Sequence, residues 1–316
     1  MKFIRDLAAG DRVNDIYLCK QRTSAVTKNG KPYDNCILQD RTGTIDTKIW
    51  EPNSEGIGDF QALDYIEVVG DVTTFNGALQ LSVKRARYVK PEHVDASLYF
   101  PVSERNNDEM FRELIGLIGE VKEEHLSLLL HRIFLEDDAL AGSFRRSSAA
   151  KSIHHGFIGG LLEHTLGVAH FCLLYCERYP MLDRDLLLTA AICHDIGKIR
   201  ELSPFPLNDY TDEGQFIGHI VIGAQMLENV IAGIDGFPEE LRMRLIHCIL
   251  AHHGEYEFGS PKKPALMEAL ALNLADNTDA KLEAFKEALN NAGSDTTGWL
   301  GFNRLFDSYL YKPAGS

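Results

Sequence analysis

The spacing of apolar residues changes near Asp108, and this change limits the folds that the chain can adopt. Over residues 12–88, apolar and polar residues alternate in short runs, as they do in half-buried β-strands. From Met110 onwards, apolar residues recur every three or four positions, as on one face of an α-helix. A chain of 316 residues is long enough for two cores. The sequence therefore predicts a small β-barrel domain over 1–95, a linker over 96–107 and an all-α domain over 108–316.

The first domain is predicted to contain five short strands joined by hairpins. Asn76-Gly77 is a two-residue turn signal, and a second hairpin is expected at Asp40-Arg41-Thr42-Gly43, ahead of Trp50. Five strands linked by hairpins within about 90 residues favour a small closed barrel. The hairpin sequence together with Trp50 resembles the OB-fold, and this resemblance implies a domain that binds nucleic acid.

Aromatic and basic residues are interleaved along this domain. Bases stack on aromatic rings and phosphates pair with cations, so a groove lined by such residues holds single strands. The alternative is that the aromatic residues belong to the core and the charges to a solvated surface. The candidate nucleic-acid contacts are Tyr33, Trp50, Phe75, Lys31, Arg41 and Lys48.

The net charge of −14 is unevenly distributed. Residues 1–95 carry 13 Lys and Arg against 14 Asp and Glu, and the remaining residues carry 19 against 32. The acidic second half should repel a polyanion unless metal ions and local cations offset it. The candidates for a local basic rim are Arg145, Arg146, Lys151, Lys262 and Lys263.

The sequence shows no signal for secretion or for membrane insertion. The six cysteines form no CxxC pair, the N-terminus has no signal-peptide run, and no apolar stretch approaches the length of a membrane span. We therefore expect a cytoplasmic protein with no membrane partner.

The segment Cys193-His194-Asp195-Ile196-Gly197-Lys198 directly follows an uncharged apolar run, residues 186–192. An aspartate behind so apolar a helix is costly to bury without a partner, and a metal ion would provide one. Other histidines and an aspartate also lie in or beside apolar helical segments. The predicted metal ligands are His164, His194, Asp195, His219, His252, His253 and Asp276. Whether His252, His253 or both bind the metal is open.

The order His…His-Asp…Asp resembles the HD phosphohydrolase superfamily at all four positions, His164, His194, Asp195 and Asp276. The resemblance implies that these four residues hold one divalent ion. It also implies that the remaining histidines hold a second ion, which the aspartate of the doublet bridges. Mixed imidazole and carboxylate ligands suit Mn²⁺, Fe²⁺ or Zn²⁺ better than Mg²⁺ or Ca²⁺, and we favour Mn²⁺.

Three residues are candidates for catalysis besides Asp195. Lys198 lies three positions further on, where a continuing helix would put it on the same face to neutralise phosphoryl charge. A structural salt bridge to Asp195 is the alternative. His154 and His155 precede His164, and a histidine there could bind phosphate or protonate the leaving oxygen. The alternative for these two is a helix start or a surface pair.

An OB-type barrel before an HD domain resembles the YhaM-type 3′→5′ exoribonucleases over nearly the whole chain. The matching segments are the Asp40–Gly43 hairpin with Trp50, residues 154–165, 194–198, 218–219 and 252–254, and residues 268–281. The resemblance implies a metal-dependent exonuclease that cleaves single-stranded RNA, or single-stranded DNA, to nucleoside monophosphates. The barrel would hold the strand.

Two other functions are open at this point. An HD phosphohydrolase acting on a small nucleotide or cyclic dinucleotide would keep its activity when residues 1–95 are removed. A nucleic-acid-binding protein with a structural metal is the third reading, but structural sites are usually closed and four-coordinate, unlike this larger ligand set. The apolar stretch 299–311 is expected to dock within the chain or between the subunits of a homo-oligomer.

Overall fold

The computed structural model describes residues 1–100, 102–151, 155–293 and 296–314, which fall into two compact units, Met1–Val102 and Ser103–Ser316. Tyr99 and Phe100, which the sequence places in a linker, are buried. The Tyr99 hydroxyl donates a hydrogen bond to the Ile16 carbonyl at 3.1 Å, so this part of the predicted linker packs on the first unit. None of the helices in the described ranges is long and apolar enough to cross a membrane.

The first unit is a closed barrel of five strands. They are β1 (Arg12–Val26), β2 (Pro32–Asp40), β3 (Gly43–Ile49), β4 (Tyr65–Phe75) and β5 (Ala78–Val89). Their order is β1-β2-β3-β5-β4, and β4 returns to β1. An irregularity between Cys19 and Gln21 marks where β1 passes from pairing with β4 to pairing with β2 alone. This five-stranded barrel has the OB-fold architecture, as the sequence predicts.

Local signals in the sequence account for the two predicted hairpins. Asn76 and Gly77 both have positive φ, +49° and +82°, as a type I′ turn requires. The Asp40 carboxylate fixes the other turn, because it accepts hydrogen bonds from the Thr42 amide at 2.7 Å and the Ile4 amide at 2.6 Å. Short 3₁₀ turns, Ile4–Asp6, Pro91–His93 and Ala96–Leu98, flank the barrel strands.

The second unit is mainly helical, as predicted. Its helices are α1 (Asn107–Ile118), α2 (Glu124–His131), α3 (Asp138–Arg146), α4 (Gly160–Arg178), α5 (Arg184–Cys193), α6 (Lys198–Glu201), α7 (Asp212–Phe216), α8 (His219–Ile231), α9 (Glu239–Ala251) and α10 (Met267–Asn291). A π-helical turn, Arg132–Glu136, follows α2, and a 3₁₀ turn, Tyr256–Phe258, follows α9.

Helix α5 is the centre of this unit. Every residue from Leu186 to Cys193 is buried, and α2, α4, α9 and α10 pack around the helix. The Asp183 carboxylate caps its start by accepting a hydrogen bond from the Leu186 amide at 3.1 Å. Because α5 ends at Cys193, it delivers His194 and Asp195 into the interior of the unit.

The C-terminal stretch forms a β-hairpin that the prediction of an all-α domain did not include. Strands β6 (Gly298–Asn303) and β7 (Ser308–Lys312) pair antiparallel. The Lys312 ammonium donates to the Leu289 and Gly293 carbonyls at 3.0 and 2.8 Å, which fastens the hairpin to the end of α10. Two short strands with irregular pairing leave little period-2 signal in the sequence, and this explains why the hairpin was not predicted.

Candidate metal centre

Asp195 lies at the middle of a buried cluster of histidines and carboxylates. Its side chain is 2% exposed, and its two oxygens face different groups of side chains. Oδ2 lies 3.3 Å from His194 Nε2 and 3.5 Å from His164 Nε2. Oδ1 lies 3.4 Å from His219 Nε2 and 3.7 Å from His252 Nε2. One carboxylate therefore joins two potential ligand sets.

The first group consists of His164, His194 and Asp276. His164 belongs to α4, His194 follows α5, and Asp276 lies on α10. The Nε2 atoms of the two histidines are 3.3 Å apart, and Asp276 Oδ1 is 3.2 Å from His164 Nε2. Each of the three residues offers a ligand atom within 4.8 Å of the others, so one ion could contact all three.

The second group consists of His219, His252 and His253, whose ligand atoms also lie within 4.8 Å of one another. His219 begins α8 and the other two follow α9. A Cβ on Gly197 would lie only 2.0 Å from the His219 carbonyl oxygen. Glycine at this position therefore lets the start of α8 approach the segment that carries Asp195.

The other ring nitrogen of each histidine in the two groups has a hydrogen-bond partner. The Nδ1 partners are Asp279 Oδ2 at 2.7 Å for His164, the Ala191 carbonyl at 2.8 Å for His194, Glu201 Oε1 at 2.9 Å for His219, the Ile249 carbonyl at 2.7 Å for His252 and the Phe258 carbonyl at 2.8 Å for His253. Each partner accepts a hydrogen bond from Nδ1–H, so the lone pair of the neutral ring lies on Nε2. The five rings are thus oriented as ligands.

Unpaired polar atoms indicate that the cluster fits a divalent cation. Asp195 Oδ1, His219 Nε2 and His252 Nε2 are buried and have no hydrogen-bond partner. Burying such atoms unpaired is unfavourable, and a cation between them would satisfy all three. Mixed nitrogen and oxygen donors suit Mn²⁺, Fe²⁺ or Zn²⁺ better than Mg²⁺ or Ca²⁺.

The two groups differ in their electrostatics. Burial disfavours a charge on His164, but hydrogen bonds with Asp276 and Asp279 outweigh it and raise the pKa of this imidazole to about 9. Burial and the neighbouring His253 hold the pKa of His252 well below its ordinary value. Burial opposes ionisation of Asp195, yet Lys198 and His194 keep the pKa of its carboxyl well below the usual range. Binding of a cation by His164 is therefore coupled to loss of a proton from its ring, whereas the lowered pKa of His252 leaves its ring neutral.

A cavity of about 660 Å³ opens onto the cluster, and His164, Asp195, Asp276 and His253 form part of its wall. Lys198 also lines it, with its ammonium 2.6 Å from Asp195 Oδ2. Lys198 thus forms the salt bridge that the sequence offers as one alternative, and its side chain also lines the cavity. The α10 side chains Asn273, Asn277 and Lys281 complete a polar face.

The predicted basic rim lies elsewhere. Arg145 donates to Asn107 Oδ1 at 3.0 Å, and Lys151 pairs with Asp209 at 2.5 Å. Neither these residues nor Arg146 line the cavity in the described part of the chain. Lys262 and Lys263 line a neighbouring cleft.

His155 lies behind His164. Its Nε2 is 3.1 Å from Asp279 Oδ2, so the two histidines share one carboxylate. Its φ of +58° is unusual for a residue with a side chain, and a Cβ on Gly160 would lie 2.0 Å from its carbonyl oxygen. His154 lies outside the described residues.

Sequence reasoning did not select two residues that orient ligands, Asp279 and Glu201. Asp279 follows Asp276 by three positions on α10, which places the two on one helix face. That spacing is a signal that could have identified Asp279. Glu201 contacts His219 across 18 residues of sequence, and no local pattern indicates this pairing.

The barrel brings some of the predicted nucleic-acid contacts together. Tyr33 and Trp50 stack with ring centroids 5.3 Å apart, and Trp50 is 49% exposed. Lys48 lies beside them, where its ammonium bonds Asn35 on the paired strand. Lys31 precedes β2 at the same end.

The two remaining predicted contacts, Arg41 and Phe75, lie at the C-terminal ends of β2 and β4. Arg41 follows the last residue of β2 and lies over the Phe3 ring, at 4.6 Å from its centroid. Phe75 ends β4 and is 60% exposed. OB-folds bind ligands on the face of strands 2 and 3, between the loops that join strands 1–2 and 4–5. Lys31 and Phe75 therefore border the two sides of that face.

The fold and the cluster define a class of protein, a hydrolase in which an HD-type domain with a candidate metal centre follows an OB-fold barrel along the chain. The HD domain family matches residues 161–281. The 3′-5′ exoribonuclease YhaM of Bacillus subtilis is 33% identical over 281 residues, which cover 89% of this chain and 88% of that protein. The Bacillus velezensis protein of the same name gives the same identity and coverage. The chain belongs to the YhaM family of 3′-5′ exoribonucleases.

Solved structures also show a likeness to the barrel. The second OB-fold domain of replication protein A from Methanococcus maripaludis is 20% identical, with a TM-score of 0.22. The match covers 28% of this chain and 94% of that domain. The OB-fold assignment rests on the strand order described above.

Proposed function

We propose that this protein is a metal-dependent 3′→5′ exonuclease that hydrolyses single-stranded RNA, and single-stranded DNA as a second substrate, to nucleoside monophosphates. The observation that carries the proposal is the position of Asp195, whose two oxygens face two sets of oriented histidines. Membership of a family whose curated relatives are 3′-5′ exoribonucleases supports the direction of cleavage and the polymer.

His164, His194, Asp195 and Asp276 would hold one divalent ion, and Asp195, His219, His252 and His253 a second, with Mn²⁺ as the proposed metal. When bound, two such ions activate water and stabilise the attacking and leaving oxygens of a phosphodiester. Lys198 keeps Asp195 ionised and adds a positive charge to the cavity wall. Lys281 and Asn277 are placed to bind substrate oxygens.

The barrel would hold the strand outside the cleavage site. Tyr33 and Trp50 offer exposed ring surface for stacking bases, and Lys31, Lys48 and Arg41 offer charge for phosphates. Phe75 offers a second stacking surface at the β4–β5 turn. Such contacts do not depend on the base sequence, so they suit an exonuclease that degrades RNA of any sequence.

The test uses 5′-labelled single-stranded RNA with Mn²⁺, with and without chelator, for the wild type and for Asp195→Ala. We expect a ladder that shortens from the 3′ end, that chelator abolishes, and that the variant does not produce. Intact RNA together with cleavage of a free nucleotide or cyclic dinucleotide would overturn the proposal in favour of a small-nucleotide phosphohydrolase. RNA binding without turnover of any substrate would overturn it in favour of a binding protein.

A further inference from the structure

A second cleft, which the proposed function does not use, lies beside the metal cavity. It has a volume of about 480 Å³, and α9 and the segment after it form its walls. Arg242, His247, Lys262 and Lys263 supply its polar lining, and Tyr256 supplies an aromatic ring. Arg242 forms ion pairs with Glu228 and Glu239, and His247 Nε2 accepts a hydrogen bond from the Ala265 amide at 2.9 Å. The positive charges of the cleft that are open to a ligand therefore belong to Lys262 and Lys263.

One backbone segment, residues 255–265, separates the cleft from the metal cavity. Glu255, Phe258 and Pro264 line the metal cavity, whereas Tyr256, Lys263 and Ala265 line the cleft. Neighbouring residues along this segment therefore line different spaces, some the metal cavity and others the cleft. Because adjacent Cα atoms are about 3.8 Å apart, the two spaces are separated by little more than the thickness of one chain.

The chemistry of this segment suits a single-stranded polynucleotide. Tyr256 and Phe258 are 64% and 63% exposed, and rings so exposed can stack on bases. Lys262 forms no ion pair with the described residues. Lys263 pairs with Glu255 across an exposed contact, and such a surface pair holds its lysine weakly. Both ammonium groups are therefore available to phosphates.

We propose that this cleft, defined by Tyr256, Lys262 and Lys263, binds the RNA strand upstream of the bond being cut. The proposal rests on the proposed exonuclease function. A strand whose 3′ end lies at the metal cluster would cross the 255–265 segment, where Phe258 and Tyr256 stack on bases. Its next phosphates would then lie beside the two lysines, so the cleft favours polymers over dinucleotides.

The test compares Lys262→Gln/Lys263→Gln with a matched control, Arg112→Gln/Lys122→Gln, which removes two exposed charges that line neither space. We expect the cleft variant to raise KM for a 12-nucleotide RNA about tenfold with kcat within twofold of the wild type. A dinucleotide is too short to reach the cleft, so its KM should not change. Tyr256→Ala should raise KM for the 12-mer in the same way.

Equilibrium binding of the same RNA in the presence of chelator gives a second readout that does not depend on turnover. Loss of two phosphate contacts should reduce the slope of log K against log salt by about 1.4, at roughly 0.7 for each contact on a single strand. An unchanged slope, or equal rises in KM for 12-mer and dinucleotide, would overturn the cleft as a strand site. If the wild type cleaves no RNA, the exonuclease proposal is wrong. The salt dependence of RNA binding then still shows whether the cleft binds the strand.

Discussion

The side chains of the candidate metal centre are held more firmly in place than those of the barrel face. In the helical unit, five histidines have Nδ1 fixed by a neighbouring oxygen, and His194 and His252 are fully buried. On the barrel, Trp50 and Phe75 are about half exposed, and Trp50 stacks on Tyr33 alone among the residues that the structure describes. Bond cleavage needs atoms placed within fractions of an ångström, whereas holding a flexible strand needs only surface of the right chemistry.

This difference predicts how each region responds to a single substitution. In the cluster, the one carboxylate of Asp195 faces both ligand groups, so one substitution should remove most of the activity. On the barrel, several side chains are proposed to contact the strand, so one substitution should weaken affinity and leave turnover intact. The following predictions test the contrast, in order of expected effect.

Asp195→Asn should lower the rate of RNA hydrolysis by about 10³-fold or more. A neutral amide cannot supply charge to two ions, and metal ions contribute several kcal/mol to such reactions, with each 1.36 kcal/mol worth tenfold. Initial rates on labelled RNA at saturating Mn²⁺ measure the effect. Asp235→Asn, at an exposed position, is the control and should keep wild-type activity. A loss of less than tenfold in Asp195→Asn would remove this carboxylate from the centre of the site.

Gly167→Ala should weaken metal binding by about 10- to 100-fold, the usual effect of disturbing the partner of a metal-binding histidine. A Cβ at Gly167 would lie 2.0 Å from Asp279 Oδ1, and the displaced carboxylate would release His164 Nδ1. Metal titration by calorimetry measures the change. Gly116→Ala is the matched control, because a Cβ there meets nothing within 4 Å. Equal affinities for the two variants would show that Asp279 does not orient His164.

Trp50→Ala should raise KM for single-stranded RNA about tenfold with kcat unchanged, because stacking on one aromatic ring contributes about 1–3 kcal/mol per base. Steady-state kinetics on a 12-nucleotide RNA measures both constants. The other tryptophan of the chain, Trp299, is 74% exposed on the C-terminal hairpin and provides the control. If Trp299→Ala raises KM as much as Trp50→Ala, the barrel face is not a specific strand site.

The sequence predicts the core of the cluster well because its residues follow buried helices. His194 and Asp195 come directly after α5, and His252 and His253 directly after α9, so the apolar run that marks each helix also locates the candidate ligands. The change of apolar period near Asp108 likewise separates barrel from helices, and Asn76-Gly77 marks a hairpin. These features depend on short stretches of sequence, so patterns of neighbouring residues predict them.

Features that depend on long-range packing were not predictable. Whether Arg41 lies near Tyr33 depends on strand register and length, and the structure places them at opposite ends of β2. Glu201 reaches His219 only because α6 and α8 pack together. The position of His155 behind His164 depends on a left-handed backbone conformation that the local sequence does not predict.

The number of Mn²⁺ ions bound per chain tests the metal centre most directly. Metal-free protein is titrated with Mn²⁺, and bound and free ions are distinguished by electron paramagnetic resonance. Two oxygens of one carboxylate facing two ligand groups predict two ions per chain with magnetically coupled spectra, and loss of the coupling in Asp195→Asn. A single ion per chain, or two uncoupled ions that Asp195→Asn leaves unchanged, would contradict a centre bridged by Asp195.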